Sequence, residues 1–425
     1  MSLLVTNAEQ IVGICNQKQL HLTCDDIKTQ FCVISGKSNL SLAVDKNGNI
    51  AGLGTNEEVL SQFKAEEFDQ VIDATGKCVL PGFVDGHTHA VWAGDRVHEF
   101  SLKLKGASYM EIHAAGGGIG FTVDKTRAAT EEELLSLFME RVRLMMKNGS
   151  TLIESKSGYG LDTETEVKML RVLEKAKHLQ PVEISSTFCG AHSVPKGSDE
   201  ETATNDVITN QLAAVIDLVK SKELAVDNID VFCEKGVFGV ESTRKILLAG
   251  KAAGMNINFH AEELNYIGGV EMGAELESMA ISHLEEISED GIRKMAESKS
   301  VAVILPTTAH ILRLKHPPVR KMLDEGVIVA LGTDFNPNAY CVSMPTVMNL
   351  ACIMFRISME EALVAATLNA AASIGKSSTH GSLEVGKVGD MVLIDAPRWE
   401  HVIYQMNAVE IISHVVKKGK VVHQK

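Results

Sequence analysis

The sequence predicts an α/β protein, a TIM (β/α)8 barrel that carries a small β-sandwich-like domain built from both chain ends. Three observations predict this fold. Short β-branched runs alternate with amphipathic helical stretches, these runs number eight, and the two chain ends have a different, β-rich texture. Eight parallel strands are the number that closes a barrel of this kind. A chain of 425 residues has room for the barrel and a companion domain.

The eight runs are the predicted barrel strands. Their alternation with helical stretches is typical of parallel βα units rather than of an antiparallel sandwich. In chain order they are Val79–Val84, Thr151–Glu154, Glu183–Phe188, Asp230–Cys233, Asn256–Phe259, Met279–Ser282, Val301–Leu305 and Val327–Leu331.

Helix start signals lie between these runs. Thr130 followed by Glu133 predicts a capping box, and Thr163 with Glu166 predicts a second one. The connection after the first strand, from about residue 94 to residue 130, is much longer than the others and contains a glycine-rich segment at 116–120. Such a βα loop could act as a lid over the barrel mouth.

The chain ends predict the companion domain. An Asn47-Gly48 turn between apolar residues is a strong hairpin signal, and the segment Val415–Val422 has a second hairpin pattern. We therefore expect residues 1–80 and 381–425 to form the small β domain and residues 81–380 to form the barrel.

Composition excludes several classes of function. Hydrophobic residues make up 45% and charged residues 23% of the chain, as in ordinary globular proteins. The formal net charge of −14 does not favour a nucleic acid or an acidic membrane surface as a partner. The sequence has neither a signal-peptide pattern at its start nor an apolar run long enough for a membrane span. Its eight cysteines include no C-x-x-C pair, which indicates reduced thiols and a cytosolic protein.

Residues that can carry chemistry collect just past the predicted strands, where barrel enzymes have their active sites. His87 and His89 are two positions apart after the first strand, so their side chains point the same way and can chelate one ion. His260 follows the fifth strand and Asp334 the eighth. These four residues form a predicted His₃Asp metal site. A metal held in this way lowers the pKa of bound water from 15.7 towards roughly 7, so hydrolysis is the expected chemistry.

Acidic and histidine side chains near the predicted ligands are candidates for proton transfer. Asp334 can accept a proton while it ligates, and Glu263 can reach a substrate nitrogen or the attacking water. The neighbouring Glu262 diverges from Glu263. His283 has three interpretations, as a fifth ligand, as a hydrogen-bond partner of the bound water or as a core histidine, and we favour the second.

The same residues carry a resemblance to a known family. Pro81–His89 resembles the strand-one signature of the amidohydrolase superfamily, and Gly332–Asp334 resembles its strand-eight aspartate. Within that superfamily, nearly the whole chain resembles the imidazolonepropionase family of histidine degradation. The segments with the most specific resemblance are Ala93–Arg96, Glu154–Gly160, Gly190–His192, His260–Glu263 and Asp334–Pro337.

The resemblance implies hydrolysis of the ring amide of 4-imidazolone-5-propanoate to N-formimidoyl-L-glutamate, by a cytosolic homodimer with one zinc or iron ion per subunit. The metal ligands that it implies are His87, His89, His260 and Asp334. The predicted catalytic residues are Glu263, Asp334, His283 and His192. The predicted contacts to substrate or product are Arg96, Tyr159, His192, Glu263, Asn336, Asn338 and Ala339.

Physical chemistry explains how several of these residues could act on the substrate. The Arg96 guanidinium can fork onto the propionate of the substrate, assisted by the Tyr159 hydroxyl. The alternative for Arg96 is an ion pair with Asp95 or Glu99. His192 could polarise the ring carbonyl under attack.

Some alternatives stay open on the sequence. Some superfamily members bridge two metals with a carboxylated lysine at the end of strand four, whereas here that strand ends in 233–235, which favours one metal. Lys156 is then an ion-pairing or positioning residue rather than a bridge. Asn338 and Ala339 stand where the family commonly has glycine and serine. A cytosine- or guanine-type deaminase of the same superfamily and a non-catalytic scaffold are the competing functions, and zinc and iron suit the ligands equally.

Overall fold

The computed structural model describes residues 1–36, 39–107, 111 and 117–425. These residues form three sheets. Their strands are β1 (Leu3–Ala8), β2 (Gln10–Ile14), β3 (Cys32–Ile34), β4 (Leu40–Val44), β5 (Ile50–Thr55), β6 (Gln70–Asp73), β7 (Cys78–Pro81), β8 (Phe83–Asp85), β9 (Ser150–Lys156), β10 (Glu183–Ala191), β11 (Asn228–Cys233), β12 (Asn256–Ala261), β13 (Ala280–His283), β14 (Val301–Ile304), β15 (Val329–Leu331), β16 (Met391–Ile394), β17 (Ile412–Lys417) and β18 (Lys420–Gln424).

Strands β8 to β15 form the predicted barrel. Each is parallel to the next along the chain, and helices or loops connect them. Backbone hydrogen bonds just past β8 and β15 join the first and last strands. The Asp334 N–H donates to the His87 carbonyl at 3.0 Å, and the His89 N–H donates to the Phe335 carbonyl at 2.9 Å. The predicted barrel is confirmed, and each of its eight strands corresponds to a predicted run, although the first run is divided between two sheets.

The helices cover the barrel and link it to the other sheets. No helix in the described part of the chain is long and apolar enough to cross a membrane. The α-helices are Cys24–Gln30, Asn56–Gln62, Val97–Leu104, Ile119–Ala128, Glu131–Lys147, Thr163–Leu179, Glu200–Asp206, Leu212–Lys220, Val240–Ala252, Gly269–Glu275, Glu289–Ser298, Pro306–Leu312, Val319–Asp324, Met344–Phe355, Met359–Ala365, Leu368–Ser373 and His401–Tyr404. A π-helical turn at Val207–Gln211 and 3₁₀ turns at Ala65–Glu67 and Ala408–Glu410 complete the described helical segments.

The first predicted strand is divided between two sheets. Strand β7 pairs with β2 and β16 outside the barrel, whereas β8 belongs to the barrel. Gly82 separates them, and a Cβ atom at this position would lie 2.3 Å from the Thr151 hydroxyl oxygen. Only glycine lets the backbone pass from one sheet to the other at this distance. The single run Val79–Val84 is therefore corrected to two short strands.

The chain ends form the small β domain as two packed sheets. One has the strand order β5-β4-β1-β6 and comes wholly from the N-terminal part, and the other, β18-β17-β16-β7-β2-β3, combines both ends of the chain. Buried residues of both sheets, among them Leu42 and Leu393, share one hydrophobic cluster between them. The hairpins β4–β5 and β17–β18 confirm the two turn predictions. The domain limits at residues 80 and 381 stay a prediction.

The helix starts agree with the sequence at one site and differ at another. Thr130 and Glu133 form the predicted capping box. In the second case Asp162, not Thr163, is the N-cap, and the Glu166 carboxylate instead accepts backbone N–H groups of the preceding loop, including that of Gly160. The long connection contains helices Val97–Leu104 and Ile119–Ala128. Part of its predicted lid, at 108–110 and 112–116, lies outside the described residues, and the lid stays a prediction.

Candidate active site

The carboxyl ends of the barrel strands surround a cavity with an empty volume of about 440 Å³. Most of its described lining was singled out from the sequence. Four lining residues were not, namely Ile119, Phe232, Thr308 and Leu312. The others are His89, Arg96, Tyr159, His192, His260, Glu263, His283, Asp334, Asn336 and Asn338.

Three predicted metal ligands lie together, and two of them, His89 and His260, line this cavity. One nitrogen each from His87, His89 and His260 falls within 4.8 Å of the others, and all three residues are buried. The Nε2 atoms of His89 and His260 are 3.1 Å apart. The three imidazoles therefore form a cluster that could hold one metal ion.

The imidazoles of this cluster are neutral. Burial lowers the pKa of each well below its ordinary value, and the neighbouring Lys156 or histidine side chains act in the same direction. His260 Nδ1 lies 2.7 Å from Asp230 Oδ1, and His87 Nδ1 lies 2.9 Å from the Ser282 hydroxyl. His87 Nε2 is buried without a hydrogen-bond partner among the described residues. Neutral rings with a bare nitrogen are the form in which histidine ligates metals.

Asp334 faces the same cluster. Its Oδ1 atom is 3.6 Å from His87 Nε2 and 3.7 Å from His89 Nε2. Its Oδ2 atom accepts a short hydrogen bond from the Thr308 hydroxyl, which fixes the orientation of the carboxylate. The structure thus brings the fourth predicted ligand within 3.7 Å of two of the three histidines. Thr308 carried no signal in the sequence, because only the fold brings the helix after β14 against Asp334.

A second group of ionisable side chains borders the metal-ligand cluster. His283 Nε2 is 3.7 Å from Glu263 Oε2, and its Nδ1 is 3.8 Å from Glu285 Oε2. Burial alone lowers the pKa of His283, but the two carboxylates outweigh it and raise the value to about 10. Burial raises the pKa of Glu263 to about 7. Glu262 points elsewhere and accepts backbone N–H groups of the following loop, including that of Gly269 at 2.7 Å.

Arg96 lies on the wall of the cavity, at the N-cap of helix Val97–Leu104. Its Nε and Nη2 atoms both donate to Glu99 Oε2, at 2.9 and 2.8 Å. The other Glu99 oxygen accepts the Gly118 N–H at 2.8 Å. Burial favours the neutral acid, but these partners outweigh it and lower the pKa of Glu99. Arg96 therefore makes the alternative ion pair and also lines the cavity.

His192 and Tyr159 form another part of the wall. The ring of His192 stacks on His89 with centroids 4.6 Å apart, and the ring of Tyr159 lies 5.2 Å from it. His192 Nδ1 donates to the Gly158 carbonyl at 2.9 Å, and burial lowers the pKa of His192 to about 4. A neutral ring that donates from Nδ1 offers Nε2 as an acceptor. This geometry favours acceptance of a ligand N–H over the polarising role predicted from the sequence.

The loop after Asp334 is held by its own amide groups. Asn336 Oδ1 accepts the N–H groups of Asn338 and Ala339 at 2.7 and 3.1 Å, and its Nδ2 donates to the Asp334 carbonyl. The Asn338 side chain accepts a hydrogen bond from Lys103. Ala339 is fully buried behind this loop and does not belong to the described cavity lining. The structure thus brings Asn336 and Asn338 to the cavity but not Ala339.

Comparison with known proteins agrees with this geometry. The model of the amidohydrolase family matches residues 78–422. The chain belongs to the amidohydrolase family. It is 56% identical over 424 residues to a protein named probable imidazolonepropionase from Homo sapiens, with 100% of this chain and 99% of that protein covered. A protein of the same name from Dictyostelium discoideum is 53% identical over 421 residues, with 99% and 97% covered.

Solved structures share the fold of this amidohydrolase at low sequence identity. A triazine hydrolase variant has a TM-score of 0.73 at 13% identity, with 99% of this chain and 94% of that chain covered. A guanine deaminase from C. acetobutylicum with bound guanine has a TM-score of 0.68 at 16% identity, with 99% of both chains covered. These likenesses confirm the barrel with its additional sheets.

Proposed function

We propose that this amidohydrolase is an imidazolonepropionase, which hydrolyses the ring amide of 4-imidazolone-5-propanoate to N-formimidoyl-L-glutamate. One observation carries the proposal: three neutral imidazoles and the Asp334 carboxylate converge in a cavity that also contains Arg96, a partner for a carboxylate. Full-length relatives that are 53–56% identical and bear this name support it.

His87, His89, His260 and Asp334 would hold one metal ion. The fit rests on two nitrogens. His87 Nε2 is buried without a hydrogen-bond partner among the described residues, and His260 Nε2, which faces His89 Nε2 at 3.1 Å, carries no proton because Asp230 accepts the ring N–H at Nδ1. Nitrogen and carboxylate donors suit both zinc and iron. When bound, such an ion acts as a Lewis acid towards the amide carbonyl and promotes attack by water.

The cavity wall would orient the substrate. Glu99 engages one edge of the Arg96 guanidinium, so the remaining N–H groups can pair with the propionate. The Tyr159 hydroxyl and the amides of Asn336 and Asn338 border the same space and would assist. His192 Nε2 would accept a ring N–H and so fix the orientation of the imidazolone.

Glu263 would move the protons, and His283 would support it. Glu263 reaches into the cavity, and its pKa of about 7 lets it both accept and donate near neutral pH. It would take a proton from the attacking water and deliver it to the ring nitrogen as the C–N bond breaks. His283, between Glu263 and Glu285, would stabilise the ionised carboxylate. Asp334 can share the first proton.

The finer properties are part of the same proposal. We propose one zinc or iron ion per subunit, a homodimer, and a place in the cytosol. We also propose a small substrate with a carboxylate as the partner, without nucleic acid or membrane. The cytosolic assignment is supported by the cysteines, because all eight are free in the structure. The dimer and the choice of zinc or iron as the ion rest on the family resemblance of the site segments.

The proposal is tested with purified protein and freshly generated substrate. Elemental analysis should find about one zinc or iron per chain, and formimidoylglutamate should appear only with metal-loaded protein. His260→Asn should abolish both metal content and turnover, whereas the distant Lys417→Met should retain both. Metal without turnover would overturn the proposed substrate, and deamination of cytosine or guanine would favour the competing deaminase function.

A further inference from the structure

A buried ammonium group lies behind the metal-ligand cluster. The Lys156 side chain at the end of β9 is 1% exposed, and it is not among the described lining residues of the cavity. Its Nζ atom lies 2.7 Å from Glu154 Oε1 and 2.9 Å from Asp230 Oδ2. Burial alone lowers the pKa of Lys156, but the two carboxylates outweigh it and raise the value well above its ordinary range. Lys156 is therefore a cation shared by two acids, outside contact with the substrate.

One of these acids, Asp230, holds the His260 ring through a hydrogen bond. Asp230 Oδ1 accepts both the ring Nδ1–H of His260, at 2.7 Å, and its backbone N–H, at 3.2 Å. A carboxylate only accepts hydrogen bonds, so this contact keeps the ring proton on Nδ1 and leaves Nε2 bare. The ion pair with Lys156 engages the second oxygen of Asp230 and so fixes the plane of its carboxylate.

The other acid, Glu154, forms hydrogen bonds with the residue between His87 and His89. Thr88 separates His87 from His89, and its backbone N–H donates to Glu154 Oε2 at 3.1 Å. Its hydroxyl donates to the Glu154 carbonyl at 2.7 Å. The Thr88 carbonyl accepts the Lys156 backbone N–H at 3.1 Å. All three polar groups of Thr88 are thus held by Glu154 and Lys156.

We propose that Lys156 is a positioning residue that links the His87–His89 segment to His260, through Glu154 on one side and Asp230 on the other, and thereby sets the affinity of the site for its metal ion. This inference rests on the proposed metal-dependent function. Lys156 carries out this role as an ammonium ion, because both acids pair with it and it is not among the described lining residues of the cavity.

The reason is electrostatic as well as geometric. Without Lys156, the buried Glu154 and Asp230 carboxylates would lose the cation that lies within 2.9 Å of both, and they would repel each other. At least one of them would move from its present position. If Asp230 changes, His260 loses its fixed tautomer, and if Glu154 changes, Thr88 loses the partner of its N–H. Either change spreads the metal ligands.

The test measures metal affinity, not activity. The metal-free protein is titrated with Zn²⁺ against a competing chelator, and the visible spectrum of the Co²⁺-loaded protein reports coordination geometry. Lys156→Met should weaken zinc binding by roughly 10- to 100-fold, the usual effect of losing a group that orients a ligand. It should also change the Co²⁺ spectrum.

The chain offers a matched control in Lys417. The Lys417 side chain is 5% exposed, and its Nζ atom pairs with two acids, Asp390 at 2.6 Å and Glu183 at 3.3 Å. Unlike Lys156, it lies at the opposite end of the barrel from the cavity. Lys417→Met removes a comparable ion pair and should leave zinc affinity within twofold of the original. Equal zinc affinities in the two lysine variants would overturn the proposal.

The Asp230→Asn variant covers the case in which Lys156→Met fails to fold, and a double-mutant cycle applies when both variants fold. Asp230→Asn keeps the shape of the side chain but removes its charge, and it should weaken zinc binding by itself. Lys156→Met added to Asp230→Asn should weaken binding less than Lys156→Met alone does in the native background, because Lys156 acts through Asp230. Fully additive losses, or an Asp230→Asn variant with unchanged zinc affinity, would overturn the proposal. A zinc-loaded native protein that lacks turnover would instead overturn the proposed function and leave this inference standing.

Discussion

Replacement of Arg96 by methionine is expected to weaken substrate binding far more than it slows turnover. The Arg96 side chain is buried, at 3% exposed, and its Nε and Nη2 atoms already donate hydrogen bonds to Glu99. A propionate would pair with the remaining N–H groups, and a hydrogen bond to a charged group contributes about 1.5–3 kcal/mol. Since about 1.4 kcal/mol corresponds to a factor of ten, KM should rise by about 10- to 150-fold.

The Arg96→Met variant alone also leaves Glu99 buried without its cation. The Glu99 side chain is 1% exposed, and removing one partner of a buried ion pair costs about 3–5 kcal/mol of stability. The double variant Arg96→Met/Glu99→Gln removes the charge on both sides, and its amide oxygen can still accept the Gly118 N–H. We expect the double variant to recover most of the stability but none of the lost substrate affinity.

The assay is steady-state hydrolysis with saturating metal, using the substrate and an analogue whose carboxylate is replaced by a methyl group. The native enzyme should prefer the carboxylate by the factor given above, and the double variant should treat both compounds alike. If the double variant still prefers the carboxylate, or if KM rises equally for both compounds, Arg96 does not bind the propionate and the reasoning fails.

Three further predictions concern the metal and the fold. Removal of the metal should lower the melting temperature by about 3 °C. Metal at 100 times its Kd stabilises the folded state by about 2.7 kcal/mol, and the unfolding entropy of 425 residues is about 0.9 kcal/mol/K. Calorimetry should find this shift in the native protein and no such shift in His260→Asn. Hydrogen bonding to His380 and the charge of Lys417 hold the pKa of Glu183 well below its usual range, so Glu183→Gln should lose about 1.5–3 kcal/mol at pH 7. This loss of stability is fully present above about pH 4.3, the pKa of an unfolded glutamate, and it should shrink as the pH falls towards the lowered pKa of Glu183 in the folded state. Urea titrations that give the same loss at pH 7 and at pH 3 would contradict this prediction. Phe138→Ala should cost about 3–5 kcal/mol in urea unfolding, because the ring is fully buried, and a cost below about 1 kcal/mol would contradict the packing.

The barrel could be predicted because parallel strands buried on both faces need continuous apolar, β-branched runs. The exact division of its first strand could not. The dipeptide Pro81-Gly82 is a break signal within the run Val79–Val84, but that the chain changes sheet there depends on the approach of Thr151 from a neighbouring strand. The helix start at Asp162 was missed for a similar reason. Glu166 satisfies the capping pattern in sequence, but the fold offers it the N–H groups of a loop instead.

The candidate metal ligands could be predicted because each lies at or just past the carboxyl end of a strand, and the ends of parallel strands meet at one face of a barrel. Their supporting partners follow no such rule. Asp230 lies within a strand and reads in the sequence as an ordinary buried position, and Thr308 lies in a helix after β14. Their importance comes from distances across the barrel, to His260 and Asp334 respectively.

The spacing of His87 and His89 shows how far such a pattern depends on its surroundings. Two residues that are two positions apart share a face only in extended chain, yet β8 ends at Asp85, before both of them. The segment stays extended because neighbours hold it on both sides. On one side His89 bonds to the Phe335 backbone, and on the other Thr88 bonds to the segment that ends in Lys156. The alternation that makes the pair a chelate is therefore imposed by the second and eighth strands of the barrel, and a variant that loosens either contact should separate the two imidazoles without changing either histidine.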